Sequence, residues 1–149
     1  MLPRQIPFVG SSSQSNGRTA TIENTEHLHS GNTFTVSYNG SVGEVFYQPE
    51  PFWASDNVNV FYPRFQMSRS IALFCMTVIR KYGKRYNYAH KWTKERMEAE
   101  RVSLPVTAEG EPDYAAMATL ISAVEKRTID RLSAWRQRER EATAWCITS

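Results

Sequence analysis

Hydrophobic and polar positions keep one period over the first sixty residues and another afterwards. "QIPFV" (5–9), "RTATIE" (18–23), "TFTVSY" (33–38), "EVFYQ" (44–48) and "NVNVFY" (57–62) are short runs rich in β-branched and aromatic residues. Turn residues bound each of them, so they predict strands. "NGSVG" (39–43) lies between the third and fourth, with Asn-Gly at its start and a second glycine at its end, the signature of a hairpin. "GSSSQSNG" (10–17) and "NTEHLHSGN" (24–32) predict polar loops, and "PEPFWASD" (49–56) an irregular segment. Over residues 68–82 the spacing becomes helical. Ile71, Phe74, Cys75, Val78 and Ile79 share a stripe, widened by Leu73 and Met76. Ser68 is placed to cap this helix and Gly83 to end it. "RVSLPV" (101–106) predicts a further short strand and "TAEGE" (107–111) a turn.

From Pro112 to about Ala144 nothing breaks a helix. Pro112 suits a first turn, with Asp113 beside it. Met117, Ile121, Val124, Thr128, Leu132 and Trp135 recur at steps of three and four. That is a narrow seam bounded by charges such as Arg131, Arg136, Arg138 and Glu139, the pattern of a helix that packs on another helix. There are no internal repeats.

At 149 residues, 41% of them apolar, the chain suits one domain with an appended helix. Its two cysteines, Cys75 and Cys146, form neither a disulfide framework nor a metal spacing, which points to a reducing cytoplasm. The opening "LPRQIPFVGSSS" lacks a basic segment leading into a long apolar run, so no leader peptide is expected, and no stretch approaches transmembrane length.

Charge changes the picture more than composition does. The net charge is only +3, yet "RKYGKRYNYAHKWTKER" (80–96) holds seven Lys or Arg, His90 and four aromatic rings, with Glu95 its single acid. Arg80, Lys81, Lys84, Arg85, Lys91, Lys94 and Arg96 can meet phosphates. Tyr82, Tyr86, Tyr88 and Trp92 can stack or pack, and Asn87 and His90 can bond base edges. The residues alone leave three readings open: a nucleic-acid surface, a solvated helix end with rings plugging a core, or an anionic-membrane contact. Trp92 belongs in the core on each of them. The loop 11–18 offers Ser12, Gln14, Asn16 and Arg18, types that bond bases but equally make any surface turn.

Catalytic chemistry is thinly represented. His27 and His29 form a lone H-x-H without further ligands, so no metal is expected. Asp56 has no partner carboxylate that the sequence demands. There is no G-x-S-x-G, and "NGSVG" does not run into a helix as a phosphate cradle must. The residues therefore support a binding module first. A small nuclease or other DNA-acting enzyme, and a helix-mediated assembly protein, are the competing readings.

Several runs taken in order carry a family resemblance: "TVSYNGSVGEVFYQ", "ASDNVNV", "YNYAHKW" before "ERM", and "SLPV" before "GEPDY". The set resembles the target recognition domain of restriction–modification specificity subunits, in the branch of Type I and BcgI-like Type II systems, over about residues 5–120. Two departures stand out. His90 occupies a place where relatives often carry Arg, and the chain has one recognition domain and one helix where a full specificity subunit has two of each.

The resemblance implies an α/β (α+β) fold with a curved, mostly antiparallel sheet and short helices, followed by one long C-terminal helix. Residues 1–111 would be the recognition domain and 112–149 the spacer or dimerisation helix and tail. It implies non-catalytic, sequence-specific recognition of double-stranded DNA on behalf of a methyltransferase, a nuclease or both, with no cofactor of its own and no membrane. The chain agrees in lacking an Asn/Asp-Pro-Pro-Tyr/Phe motif and a Gly-rich S-adenosylmethionine loop. The expected DNA contacts are Ser12, Gln14, Asn16 and Arg18 in the first loop, Tyr38 and Asn39 at the hairpin, and Lys84, Arg85, Tyr88, His90 and Lys91 in the basic stretch. The expected partner or homodimer face is Met117, Ile121, Val124, Leu132 and Trp135.

Overall fold

The change of period in the sequence is a change from sheet to helix in the structure. The computed structural model describes residues 5–148. Its elements run β1 (Ile6–Val9), a 3-10 turn (Ser15–Gly17), β2 (Arg18–Ile22), β3 (Thr33–Ser37), β4 (Val45–Gln48), β5 (Trp53–Ala54), β6 (Val58–Phe61), α1 (Arg69–Gly83), α2 (Lys94–Ala99) and α3 (Tyr114–Thr148). The leader expectation rests partly on residues 1–4, which lie outside the described residues.

The strands form two sheets, ordered β2-β1-β5 and β4-β3-β6, where one curved sheet was expected. All pairings are antiparallel except β1 with β5. The division falls where the chain leaves β4 through Pro49, Glu50 and Pro51. Proline has no N–H to give to a ladder, so β4 cannot continue. The chain instead crosses to β1, where Trp53 stacks on Phe8 at 5.7 Å.

β3 is central to the second sheet and buried at all five positions. Phe34 and Val36 face α1. Ile71, Ala72 and Cys75 of α1 cover them together with Val45, and Trp92, Met97 and Met117 complete the cluster. Burial pushes the Cys75 thiol up, outweighing a backbone hydrogen bond that lowers it. Each large side chain in this cluster contributes roughly 1.5–3 kcal/mol relative to exposure. Ser68 caps α1 as its position predicts, its Oγ accepting from the Ile71 N–H at 3.3 Å.

The side of β3 away from α1 is polar but satisfied. Gln48 donates to Thr35 Oγ1 (3.1 Å) and to the Asn16 carbonyl (3.0 Å), while Asn16 Nδ2 donates to Gln48 Oε1 (3.2 Å) and to the Tyr47 carbonyl (2.9 Å). A buried amide needs such partners. Here they fasten the loop before β2 onto the second sheet.

Two expectations change. Residues 101–106 are not a strand: Val106 makes one bridge with Pro112, and no ladder forms. The segment runs extended over α1, tied by the Ser103 N–H to Tyr82 Oη (3.2 Å), with Leu104 against the core. α2, which the sequence reading left out, carries Met97 into the core. α3 starts at Tyr114, two residues after the expected Pro112, which instead bridges Val106; Asp113 Oδ1 accepts from the Ala116 N–H at 2.8 Å. Its first turns dock on the domain through Tyr114, Met117 and Ala118. An Arg69–Glu125 ion pair at 2.5 Å closes that contact. From Lys126 to Cys146 every residue is exposed, so some 30 Å of helix extends past its own core.

Candidate nucleic-acid interface

Three segments that are far apart in sequence meet at one end of the β3–β4 hairpin. Ser11 Oγ donates to the Asn39 carbonyl and accepts from the Ser41 N–H at 2.9 Å, joining the first loop to the hairpin turn. The turn in its turn abuts the end of α1. A Cβ on Gly43 would lie 2.3 Å from the Gly83 carbonyl oxygen, and one on Gly83 would lie 2.5 Å from the Gly43 oxygen and 2.9 Å from the Trp92 ring. Only glycine permits backbones to approach so closely, and Gly43 also sits at φ +83°. The basic stretch leaves α1 at this contact.

Its cations divide into two groups. Arg80 turns inward: it lies over the Phe46 ring (5.1 Å), donates to the Val45 carbonyl (2.6 Å) and pairs with Glu44 (3.5 Å). Arg85 lies over Tyr82 and pairs with Glu100 at 3.6 Å, Lys94 pairs with Glu98 at 3.8 Å, and Arg96 donates to the Lys91 carbonyl. Lys81, Lys84 and Lys91 have no ion pair among the described residues.

The rings are ordered too. His90 stacks on Tyr86 (5.4 Å, 4° between planes) and Tyr86 on Trp92 (5.2 Å, 5°). Trp92 is 1% exposed and anchors the stack in the core. Tyr86 donates to Glu100 at 3.1 Å. Its phenol is pushed up, first by burial and then by that acidic neighbour. Between Tyr86 and His90 the chain folds into a tight turn, with Asn87 and His90 exchanging backbone hydrogen bonds at 3.0 and 3.1 Å. Asn87 Oδ1 accepts from the Ala89 and His90 N–H groups as well. Tyr88 stands at the tip, 76% exposed, with the Lys91 ammonium 5.3 Å from its ring.

The residues expected to touch DNA differ in place and in freedom, since Asn16 and Arg18 lie beside Tyr47–Glu50, at the opposite end of β4 from the hairpin turn. Lys84, Tyr88 and His90 are exposed, and Lys91 is half-buried. In the first loop Gln14 is exposed, and Ser12 Oγ accepts from the Gln14 N–H. Asn16 is engaged by Gln48 and Tyr47, and Arg18 pairs with Glu50 at 3.8 Å. Tyr38 donates to the Asp56 carbonyl, and Asn39 Nδ2 donates to Asn57 Oδ1 at 2.8 Å, so both brace the turn. The sequence did not single out Ser11, Glu100 or the Gly43–Gly83 contact. A glycine at each of two element ends was the only trace of the last.

On the long helix, Met117 is wholly buried in its own domain and offers nothing to a partner, and Ile121 is half-buried. Val124, Leu132 and Trp135 are 52%, 59% and 51% exposed. Among the described residues no group of three or more His, Cys, Asp or Glu could hold a metal ion. Among the described residues no helix is long and apolar enough to cross a membrane.

The structure is a mixed α+β body with a polar hairpin turn and a basic stretch meeting at one end, and a helix that runs beyond its core. The chain belongs to the family described as the Type I restriction modification DNA specificity domain, whose sequence model matches residues 3–134. It is 33% identical over 132 residues to the specificity subunit S.BcgI of a Type II restriction enzyme from Heyndrickxia coagulans. That match takes in 88% of this chain and 39% of the subunit, so the chain spans well under half the length of that relative. A solved Type I restriction-modification S subunit from M. genitalium aligns over 88% of this chain and 35% of its own, with 17% identity and a TM-score of 0.45.

Proposed function

We propose that the chain is a non-catalytic module that recognises a sequence in double-stranded DNA for a restriction–modification system. Family membership supports the class. The observation that carries the reading to this surface is the meeting of the first loop, the hairpin turn and the basic stretch, with Lys81, Lys84 and Lys91 making no ion pair among the described residues. Lysines on such a surface bind phosphates and place the protein, while the exposed Tyr88 and His90 of the same stretch, and Gln14 on the first loop, read bases. Methylation and cleavage belong to partner chains, a methyltransferase or nuclease subunit, and this chain holds no cofactor. Residues 1–111 act as the recognition domain and 112–149 as spacer. Leu132 and Trp135 pair the spacer with a partner helix, in the first instance that of a second copy. The setting is the cytoplasm, in keeping with two free thiols.

Selection from a pool of randomised duplexes, followed by a salt titration on the enriched sequence, tests this reading. Arbitrary duplex is expected to bind with a Kd of roughly 10⁻⁴–10⁻⁶ M near physiological salt, and the enriched sequence more tightly. Lys84→Ala with Lys91→Ala should flatten the salt dependence by roughly two phosphate contacts, about 0.9 in slope for each. A pool that never enriches, or a double variant with the parent's slope, overturns the assignment.

A further inference from the structure

Among the described residues Tyr88 is the one large ring of the basic stretch with neither a ring stack nor a hydrogen bond. Trp92 and Tyr86 are built into the stack, Tyr82 is bonded to Ser103, and His90 caps the stack from outside. Tyr88 instead stands off the protein on the Asn87–His90 turn, 76% exposed. Four hydrogen bonds close that turn, two between backbones and two to Asn87 Oδ1. The turn is therefore held in shape, and it is rooted through the parallel rings of His90 and Tyr86 to buried Trp92. A ring presented on a rigid tip has already lost most of the freedom that binding would otherwise remove. The Lys91 ammonium lies 5.3 Å from its ring, so a ring at this place arrives at a duplex with a phosphate-binding cation beside it.

We infer that Tyr88 is a wedge: on DNA binding its ring enters between two adjacent base pairs and unstacks them. This rests on the recognition reading above and adds to it a way of sensing sequence without bonding a base edge. Rings and apolar side chains inserted at a base step kink the duplex, and the energy required depends on the step. Pyrimidine–purine steps open most readily, so the wedge selects TA or CA/TG at its own position. Lys91 is the companion group. Its ammonium lies over the Tyr88 ring in the free protein and moves to a phosphate when the ring goes in.

The test uses the full chain and the duplex enriched from the randomised pool, with 2-aminopurine placed at each step in turn. The parent is expected to brighten the probe at one pyrimidine–purine step. Tyr88→Ala should abolish that signal and weaken binding roughly tenfold or more, the scale of a lost aromatic–base stack, while leaving the salt slope unchanged. Tyr88→Phe should retain both signal and affinity. An exposed tip position leaves folding untouched, and an unchanged melting curve for Tyr88→Ala confirms that loss of signal is loss of the ring. Tyr88→Ala binding as the parent does, or probes that never brighten while the duplex is bound, overturns the wedge and leaves recognition standing. A chain that enriches no duplex overturns both.

Discussion

The contact between Gly43 and Gly83 sets a quantitative test of how the recognition loops are held. In Gly43→Ala the new methyl group falls 2.3 Å from a carbonyl oxygen and 2.7 Å from the carbonyl carbon of Gly83. Both are backbone atoms, so no side chain can swing aside. The residue also sits at φ +83°, where an L side chain costs about 1–2 kcal/mol. Overpacking adds about 1–3 kcal/mol, giving a loss of roughly 2–5 kcal/mol out of a typical 5–15. Gly110 supplies the control, since its φ is +85° but a Cβ there would have nothing within 4 Å. Gly110→Ala therefore carries the conformational penalty alone, and the difference between the two variants isolates the backbone contact. In thermal melts followed by circular dichroism, Gly110→Ala should fall by a few degrees and Gly43→Ala by about 5–15 °C, at some 2–4 °C per kcal/mol for a chain of this size. Duplex affinity should fall further in Gly43→Ala than the unfolded fraction explains, because the hairpin turn and the basic stretch part company. If the two variants melt together, the close approach is not a constraint and the account of how the loops are assembled is wrong.

Three further outcomes follow from other contacts. Gln48→Leu keeps volume but strips the partners of Asn16 and Thr35, and should lower stability by about 1–3 kcal/mol in urea melts while weakening duplex binding through the first loop. A result within error of the parent would show that the Asn16 loop is held otherwise. Leu132→Glu with Trp135→Glu changes two exposed positions beyond the core, so its melting curve should match the parent's. Sedimentation equilibrium should then show the variant monomeric and the parent dimeric, and a parent monomeric at high micromolar concentration refutes self-pairing. His29 stacks on buried Phe52 and bonds Tyr62 at 2.6 Å, and partial burial lowers its pKa. The unfolded chain thus takes up this proton at higher pH than the folded one. The stability His29 contributes is complete above about pH 6.5 and is lost as pH falls below it. His29→Gln should show a shallower loss of urea resistance as pH falls below about 6.5, and parallel curves would rule this out.

How much of this was readable beforehand depended on the range of the interaction. α1 was legible because cap, stripe and terminating glycine are all local. The β3–β4 hairpin was legible because Asn-Gly, alternation and loop length agree. β5 has two residues and owes its existence to β1, forty-odd positions away, so no local pattern announces it. α2 was hidden in a run of charge, although Lys94, Glu95, Arg96, Met97, Glu98 and Ala99 are all good helix formers. Residues 101–106 have strand composition, yet no partner strand lies alongside. The seam on α3 was found as a single stripe, but the end of the domain divides it, with Met117 inside the core and Leu132 and Trp135 outside. In the basic stretch, sequence located the charge and could not assign it. Glu44 and Glu100 reach Arg80 and Arg85 only in three dimensions, and only there do Lys84 and Lys91 stand apart from their neighbours.

The Asn87–His90 turn separates two demands that often compete within one loop. Its shape is held by main-chain groups and by Asn87, and its footing by Tyr86 and Trp92, so residue 88 has no part in maintaining the fold. Gln14, at the tip of the first loop, stands in a similar position, because Asn16 and Ser11 fasten that loop from either side. On the proposed reading, substitutions at such tips change what is offered to the DNA and leave the scaffold's stability alone. A lineage under pressure to recognise a new sequence can therefore sample side chains at positions 14 and 88 one mutation at a time, without first acquiring compensating changes in the core.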